Sequence, residues 1–245
     1  MLAVIVLIGL PAFFLFYRTP TCGDGKMNGD EAGVDCGGSC QLICKAESLP
    51  LISKGDPRIL TVSPNNYQVI ALFENPNNNA EVFRAGYIIK IYDALSAIPI
   101  KIIEGETYAP KNQTSAIFEG PFSLSEDITP KRATLEWKTG LTWVKNEQTL
   151  PELVIKNISL SKEDTVPRLE AIIENVTLNS VSNIDITATL SDASGNIFAA
   201  SKTFIDTLGP STEAPIIFTW PKPFTSEAVD IDIIVRILPA RSLLR

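Results

Sequence analysis

The 245-residue chain contains no histidine. Without an imidazole it cannot carry the sites in which a histidine base activates a serine or cysteine nucleophile, nor the common histidine-bearing zinc hydrolase centres. Chemistry run by two carboxylates needs no histidine, but no two acidic residues form a recognisable catalytic motif. The sequence therefore favours a protein that is not an enzyme.

Basic residues are in the minority. Lysine and arginine together number 21 against 28 aspartates and glutamates, which gives a net charge of −7. Proteins that bind nucleic acids need a basic stripe that neutralises phosphates. The acidic balance thus predicts no nucleic-acid partner, while a hydrophobic content of 45% is that of globular domains.

Cysteine is confined to one short segment, in which four residues are spaced C-x13-C-x3-C-x3-C. Zinc sites typically use a C-x2-C spacing, and no histidine is present to complete a mixed site. Two disulfides are therefore the preferred interpretation, and zinc the weaker one. Four cysteines allow three pairings, and the sequence does not choose among them. The residues are Cys22, Cys36, Cys40 and Cys44.

An unbroken apolar run, residues 1–17, precedes the cysteines. As a helix it would be about 25 Å long, which approaches the thickness of a bilayer core. We predict a transmembrane anchor helix over residues 1–18 that contacts membrane lipid and leaves the ectodomain on the extracytoplasmic side. A cleaved signal peptide is the alternative, although its positive leading region is missing. Packing of such helices in a pilus-like filament is another alternative.

The segment 19–48, here named the cassette, resembles a small motif that recurs in bacterial and archaeal surface proteins. The motif is C-x-D-G-x-x-N-G-x-E-x-x-x-D-C-G-G-x-C-x-x-C, and the last spacing in this chain is x3 instead of x2. The resemblance implies a surface protein but covers only a small part of the chain. The matching residues are Cys22, Asp24, Gly25, Asn28, Gly29, Glu31, Asp35, Cys36, Gly37, Gly38, Cys40 and Cys44.

Oxygen-bearing side chains surround the glycine turns of the cassette, and such oxygens are the ligands that calcium prefers. Compared with an EF-hand loop, Asp24, Asn28 and Asp35 fall at the first, fifth and twelfth positions, but Lys26 occupies the third. The alternative is that these side chains only solvate a disulfide knot. Calcium is the one cofactor that the sequence suggests. Its candidate ligands are Asp24, Asn28, Asp30, Glu31 and Asp35.

The rest of the chain contains two similar units at an offset of about one hundred residues. Glu74–Asn75 is matched by Glu174–Asn175, and Ile117–Phe118 by Ile217–Phe218. Short β-branched and aromatic runs between turn residues predict strands. The predicted strands are Tyr67–Phe73, Gly86–Tyr92, Ile98–Ile103, Arg168–Ile173, Ile184–Leu190, Ile197–Thr203 and Val229–Ile237. In the last strand, alternation puts Ile231, Ile233, Val235 and Ile237 on one face.

These patterns predict a mainly β fold with two tandem antiparallel β-sandwich domains, residues 49–147 and 148–241. Trp137, Trp143 and Trp220 are expected to pack in their cores. Three Asn-x-Ser/Thr sequons are candidate glycosylation sites if the host has the machinery. They begin at Asn112, Asn157 and Asn175.

The two units also resemble known families. The first resembles the water-stress-hypersensitive or group 2 late-embryogenesis-abundant domain, through Phe73–Glu74–Asn75–Pro76–Asn77 and the strand Tyr87–Tyr92. The second is similar to the FxLYD-type immunoglobulin-like domain, through Ile173–Glu174–Asn175, Ala188–Thr189–Leu190–Ser191–Asp192 and Gly195. Ser191 stands where that family has tyrosine. Both resemblances imply immunoglobulin-like sandwiches behind a single membrane anchor, without catalytic residues.

Together these features predict a non-enzymatic, membrane-anchored cell-surface protein. Its ectodomain is expected to serve binding, adhesion or scaffolding among protein partners of the cell envelope, which include copies of itself. The alternative is a structural subunit of a surface filament. Such a subunit would pack through its apolar N-terminal helix or exchange strands between sandwiches.

Overall fold

The computed structural model describes residues 21–94 and 96–240. These residues form antiparallel sheets and one short 3₁₀ helix, Lys45–Glu47. The predicted mainly β class is thereby confirmed. The strands are β1 (Ile52–Ser53), β2 (Arg58–Ser63), β3 (Asn66–Asn75), β4 (Ala80–Tyr92), β5 (Lys101–Ala109), β6 (Gln113–Ser123), β7 (Arg132–Trp137), β8 (Val144–Lys145), β9 (Leu153–Ser161), β10 (Arg168–Asn175), β11 (Val181–Ser191), β12 (Ile197–Leu208), β13 (Glu213–Thr219) and β14 (Asp230–Ile237).

No helix among the described residues combines the length and the apolar character needed to cross a bilayer. The anchor helix predicted over residues 1–18 lies outside the described residues. It therefore stays a prediction.

Strands β1–β8 form the first β unit, which consists of two sheets. In one sheet β3 pairs with β1, β2 and β6, and in the other β4 pairs with β5, β7 and β8. The second β unit, strands β9–β14, has one sheet in the order β9-β10-β13 and another in the order β12-β11-β14. Apart from β1 and β8, the strands of the two units follow one another in the same order and pair in the same way.

One predicted strand begins later in the structure, because a turn contains its first residues. The prediction placed a strand at Ile98–Ile103, whereas β5 begins at Lys101. The Ser96 hydroxyl accepts a hydrogen bond from the Ile98 backbone N–H at 2.9 Å. A local side-chain acceptor of this kind competes with strand pairing, so the β-branched residues that precede β5 lie in the turn.

Each β unit has its own hydrophobic core between its two sheets. In the first unit, Val69 and Phe73 of β3 pack in one cluster with Ile89 and Ile91 of β4. In the second unit, the alternating face predicted for β14 packs against the core, which confirms that face. The tryptophans follow the prediction, since Trp143 and Trp220 are buried in these clusters and Trp137 packs against the first one.

A fully buried asparagine closes one end of the first unit. Asn75 is 0% exposed at the end of β3. Its amide donates hydrogen bonds to the carbonyl oxygens of Ala80 at 2.8 Å and Ala109 at 3.2 Å. Its side-chain oxygen accepts from the backbone N–H and the amide of Asn77. One side chain thus joins β3 to the start of β4 and the end of β5, which belong to the opposite sheet.

The matching residue of the second unit, Asn175, is also 0% exposed. Its amide donates to the carbonyl oxygens of Asn179, Leu208 and Gly209 at 2.8, 3.2 and 2.8 Å. Its side-chain oxygen accepts from the backbone N–H and the hydroxyl of Thr177. The asparagine of the repeated Glu-Asn pair therefore has the same structural role in both units. The folded protein leaves no room for a glycan on this amide, which removes one of the three sequons.

Strand β11 is buried on both faces. Ile184 and Ile186 lie in the core of the second unit. The opposite face carries Asp185, Thr187 and Thr189, and all three are buried as well. An alternation of apolar and polar residues is typical of a strand with one face in water. Ala200 and Ile234, which pair with Thr189 and Thr187 on the neighbouring strands, pack in one apolar cluster with residues of the first unit. The polar face therefore lies on the side of the sheet that faces the first unit.

The junction between the two β units combines an apolar cluster with buried hydrogen bonds. Arg236 of β14 donates to the Thr107 hydroxyl at 2.8 Å and to the Tyr108 carbonyl at 3.1 Å, both on β5 of the first unit. Within its own unit it pairs with Asp185 at 2.7 Å. The apolar cluster consists of Leu60, Ile70, Ala116 and Ala200, with Leu72, Phe118, Ile197 and Ile234 packed against it.

The Arg236 contact is desolvated. The side chain of Arg236 is 9% exposed and that of Asp185 is 5% exposed. Lys202 also reaches Asp185, at 3.0 Å. Tyr108, whose carbonyl receives Arg236, donates its hydroxyl to Glu81 at 2.6 Å. Burial, followed by the contact with Glu81, raises the pKa of Tyr108 well above its usual value. Buried polar groups with this many partners fix the relative position of the elements that carry them.

Replacing either closing asparagine should destabilise the fold. We expect Asn75→Ala to lower the free energy of unfolding by about 2–3 kcal/mol, because two carbonyls lose their buried donor. Asn175→Ala should have a similar effect in the second unit. The control is Asn78→Ala, which changes an exposed residue of the same loop. Urea denaturation of the three variants measures the difference, and equal midpoints for all three would contradict the assigned role.

Removing the guanidinium at the junction should also be costly. We expect Arg236→Met to lower the free energy of unfolding by about 3 kcal/mol, because Asp185 remains buried without its main partner. Arg84→Met removes an ion pair to Glu106 in which both side chains are about half exposed. That control should change stability by less than about 1 kcal/mol. Adding Asp185→Leu to Arg236→Met should recover part of the loss, and no recovery would argue against a buried pair.

Candidate functional site

The cassette contains two disulfides, as the cysteine spacing predicted. Cys22 pairs with Cys40 at a Cα–Cα distance of 5.6 Å, and Cys36 pairs with Cys44 at 5.0 Å. The two loops overlap along the chain, so each bond restrains the other loop. All four cysteines of the chain are bonded in this way, so none of them is a thiolate that could bind zinc.

Two of the predicted calcium ligands organise the first turn of the cassette. Both oxygens of the Asp35 carboxylate accept from the Gly25 backbone N–H at 3.0 Å. Asp24 accepts from the Lys26 backbone N–H at 3.0 Å and from the Asn28 amide at 2.9 Å. These carboxylates therefore have a structural role in holding the turn, whether or not a cation is bound.

Two further predicted ligands hold the second turn. Asp30 accepts from the backbone N–H and the hydroxyl of Ser39, at 3.0 and 2.8 Å. The hydrogen bond from the Ser39 side chain lowers the pKa of Asp30. Glu31 accepts from the Asn28 backbone N–H at 3.0 Å. At Gly38, whose φ is +57°, a Cβ would lie 2.1 Å from the Asp30 carbonyl oxygen, so this turn requires glycine.

The calcium prediction stays a prediction. The side-chain oxygen of Asn28 is buried and has no hydrogen-bond partner, but the residue as a whole is only half-buried. Glu31 lies within 4.8 Å of the sulfurs of Cys22 and Cys40, which are bonded to each other and are poor ligands in that state. The five predicted residues thus lie close together in the cassette, and each already takes part in a hydrogen bond within it.

The cassette is attached to the first β unit through β8. The Ile43 backbone N–H donates to the Trp143 carbonyl at 3.0 Å, and the Lys145 backbone N–H donates to the Gln41 carbonyl at 2.8 Å. The Gln41 amide in turn donates to the Lys145 carbonyl at 2.6 Å. These bonds extend a sheet of the first unit into the cassette.

A groove of about 840 Å³ lies at the junction of the two β units. The edge strand β2 borders it on one side, and the edge strand β12 borders it on the other. The segment between β13 and β14 adds Trp220, Pro221, Pro223 and Phe224. Among the described residues that line it, Lys202 and Lys222 are the only ionisable ones, so these residues contribute no carboxylate pair of the kind that hydrolyses glycosides.

The groove has a fixed wall. The Ala200 carbonyl of β12 accepts from the Trp220 indole at 3.0 Å and from the Gln68 amide of the first unit at 3.2 Å. The Phe224 ring lies 5.3 Å from the Phe198 ring and 5.2 Å from the Trp220 ring, measured between centroids. Edge-to-face packing at this distance is favourable and orients all three rings.

Sequence reasoning did not find this groove. The sequence predicted Trp220 only as a core residue. Its two walls come from strands of different units that are far apart in the chain. One local signal could have pointed to it. The segment Thr219–Thr225 places two prolines and two aromatic residues around a lysine.

No protein-family model matches the chain, and no curated protein matches it either. Among solved structures, the chain shows a weak similarity to a crystal structure of β-glucuronidase from Bacteroides uniformis. The TM-score is 0.21 and the sequence identity is 12%, over 64% of this chain and 22% of that one. A similarity this low carries no argument about fold or activity.

The disulfides, not a hydrophobic core, should hold the cassette together, because Cys40 and Cys44 are the only buried hydrophobic residues in its described part, 21–48. We expect reduction to remove amide protection from residues 21–48, each bond contributing about 2–4 kcal/mol. Hydrogen–deuterium exchange with and without a phosphine reductant measures this effect. Peptides of the second β unit, which contains no cysteine, are the internal control. Unchanged protection of the reduced cassette would contradict this assignment.

Proposed function

We propose that this protein is a non-enzymatic, membrane-anchored surface protein whose two β units form one rigid arm for binding or scaffolding in an envelope assembly. Along the chain, an anchor over residues 1–18 and the cassette over residues 19–48 would be followed by two immunoglobulin-like sandwich domains over residues 49–147 and 148–241, which form the arm. Partners would be proteins of the envelope, with copies of this chain among them.

The observation that supports this proposal best is the continuous attachment from the cassette to the second unit. The cassette bonds to β8 through backbone groups, and Arg236 bonds the second unit to β5 of the first. With both of these connections in place, the cassette and the two β units would keep a fixed arrangement. Such rigidity suits spacing and presentation of a binding surface, whereas a flexible linker would lose it.

The disulfides support an extracytoplasmic location. Disulfides persist in oxidising compartments and are rare in the cytosol, where thiols are kept reduced. Both bonds of the cassette lie directly after the apolar segment that is predicted to be the anchor. This order along the chain favours an ectodomain that begins at the outer membrane surface.

Labelling of intact cells tests location and anchoring together. A membrane-impermeant amine-reactive biotin should modify exposed lysines of both β units in intact cells, for example Lys131 and Lys222. The labelled protein should also remain in the membrane pellet after alkaline carbonate extraction. Labelling that appears only after lysis, or full release by carbonate, would overturn the proposal. A periplasm-facing protein of a two-membrane cell would need the outer membrane permeabilised before labelling.

A further inference from the structure

The groove at the junction differs in charge from the rest of the protein. The whole chain has a net charge of −7, yet the ionisable side chains that the described part of the chain contributes to the groove are two lysines. Lys202 is 42% exposed and contacts Asp185. Lys222 is exposed and has no ion pair with any described acidic residue. Because Lys202 is paired with Asp185, Lys222 is the cation of the groove that a ligand can reach, and it favours a ligand group that carries negative charge.

The walls of the groove are suited to an extended main chain. Both β2 and β12 are edge strands, with a neighbouring strand on one side only among the described residues. An edge strand can receive a further strand through main-chain hydrogen bonds, which is a common mode of peptide recognition. The six residues of β2 would match an extended segment of about 20 Å.

The third feature of the groove is its apolar lining. The half-buried rings of Phe118, Phe198 and Phe224 line the groove together with Ile59 and Val62. Its volume of about 840 Å³ falls within the range of sites that hold a specific ligand. Apolar pockets beside an edge strand accept alternate side chains of an added strand, which gives specificity.

We propose that this groove binds an extended acidic peptide segment of a partner protein. The segment lies along the edge of β2, because the Ala200 carbonyl of β12 is already bonded to Trp220 and Gln68. It places an apolar or aromatic side chain against Phe198 and Phe224 and directs a carboxylate to Lys222. This inference rests on the proposed binding function and gives that function a place and a chemistry. Because the two β units each supply one wall, the site exists only while the junction is intact.

The experiment uses the full chain in detergent micelles and a fluorescent random copolymer of glutamate and tyrosine as the probe. We expect saturable binding by fluorescence anisotropy that weakens as salt is added. Lys222→Glu should weaken binding about tenfold, since it replaces an attraction by a repulsion. Lys131→Glu makes the same change of charge at an exposed position outside the groove and should leave binding within about twofold.

A second variant tests the groove without changing charge. Thr61→Trp places a large side chain on the exposed part of β2 that lines the groove and should also weaken binding about tenfold. Loss of binding in both groove variants, with binding retained in Lys131→Glu, supports the proposal. Equal binding by all variants overturns it, and so does the absence of probe binding.

Competition distinguishes a peptide from other polyanions. Polygalacturonate and single-stranded DNA should compete with the probe only through nonspecific charge. Each polymer should therefore displace the probe from the wild-type protein and from Lys222→Glu at the same concentrations. Displacement of the probe by either polymer at lower concentration, and only from the wild-type groove, would overturn the assignment to a peptide. None of these outcomes depends on where the protein resides, so a negative result leaves the cell-labelling test of the proposed function unaffected.

Discussion

The buried contact of Arg236 is the constraint on which the arrangement of the two β units depends. Its guanidinium is held by Asp185 in its own sheet and reaches Thr107 and the Tyr108 carbonyl in the other unit. A buried guanidinium is tolerated only when its hydrogen bonds are satisfied, so the first unit must supply acceptors at fixed positions. This requirement explains why β11 carries the buried Asp185.

The cassette and the two β units are stabilised by different interactions. In the β units, each core lies between two sheets and a buried asparagine closes one end. The cassette has almost no apolar interior, and its turns are held by two disulfides and by carboxylates that accept backbone N–H groups. Reducing conditions would therefore affect the base of the proposed arm and leave its β units folded. This division fits a protein that works in an oxidising compartment.

Much of the fold could be predicted because alternation and turn residues act locally. The apolar face of β14 follows from alternation, the two disulfides follow from the cysteine spacing, and the packing of the tryptophans in or against the cores follows from their large apolar side chains. The pairing of the cysteines could not be predicted, since it depends on turns such as the one at Gly38. The burial of the polar face of β11 could not be predicted either, because the alternating pattern is the same whether that face contacts water or a second unit. Asp185, Thr187 and Thr189 alternate with apolar residues as solvent-facing side chains do, yet all three are buried, on the side of the sheet that faces the first unit. The groove was missed for the same reason.

Differential scanning calorimetry of the full chain in detergent is the most direct test of a rigid junction. If Arg236 and the apolar cluster around it couple the two β units, they should unfold in one cooperative transition. The calorimetric enthalpy would then equal the van't Hoff enthalpy within error. Two separate transitions, each with the enthalpy of one unit, would contradict the rigid arm and with it the composite groove.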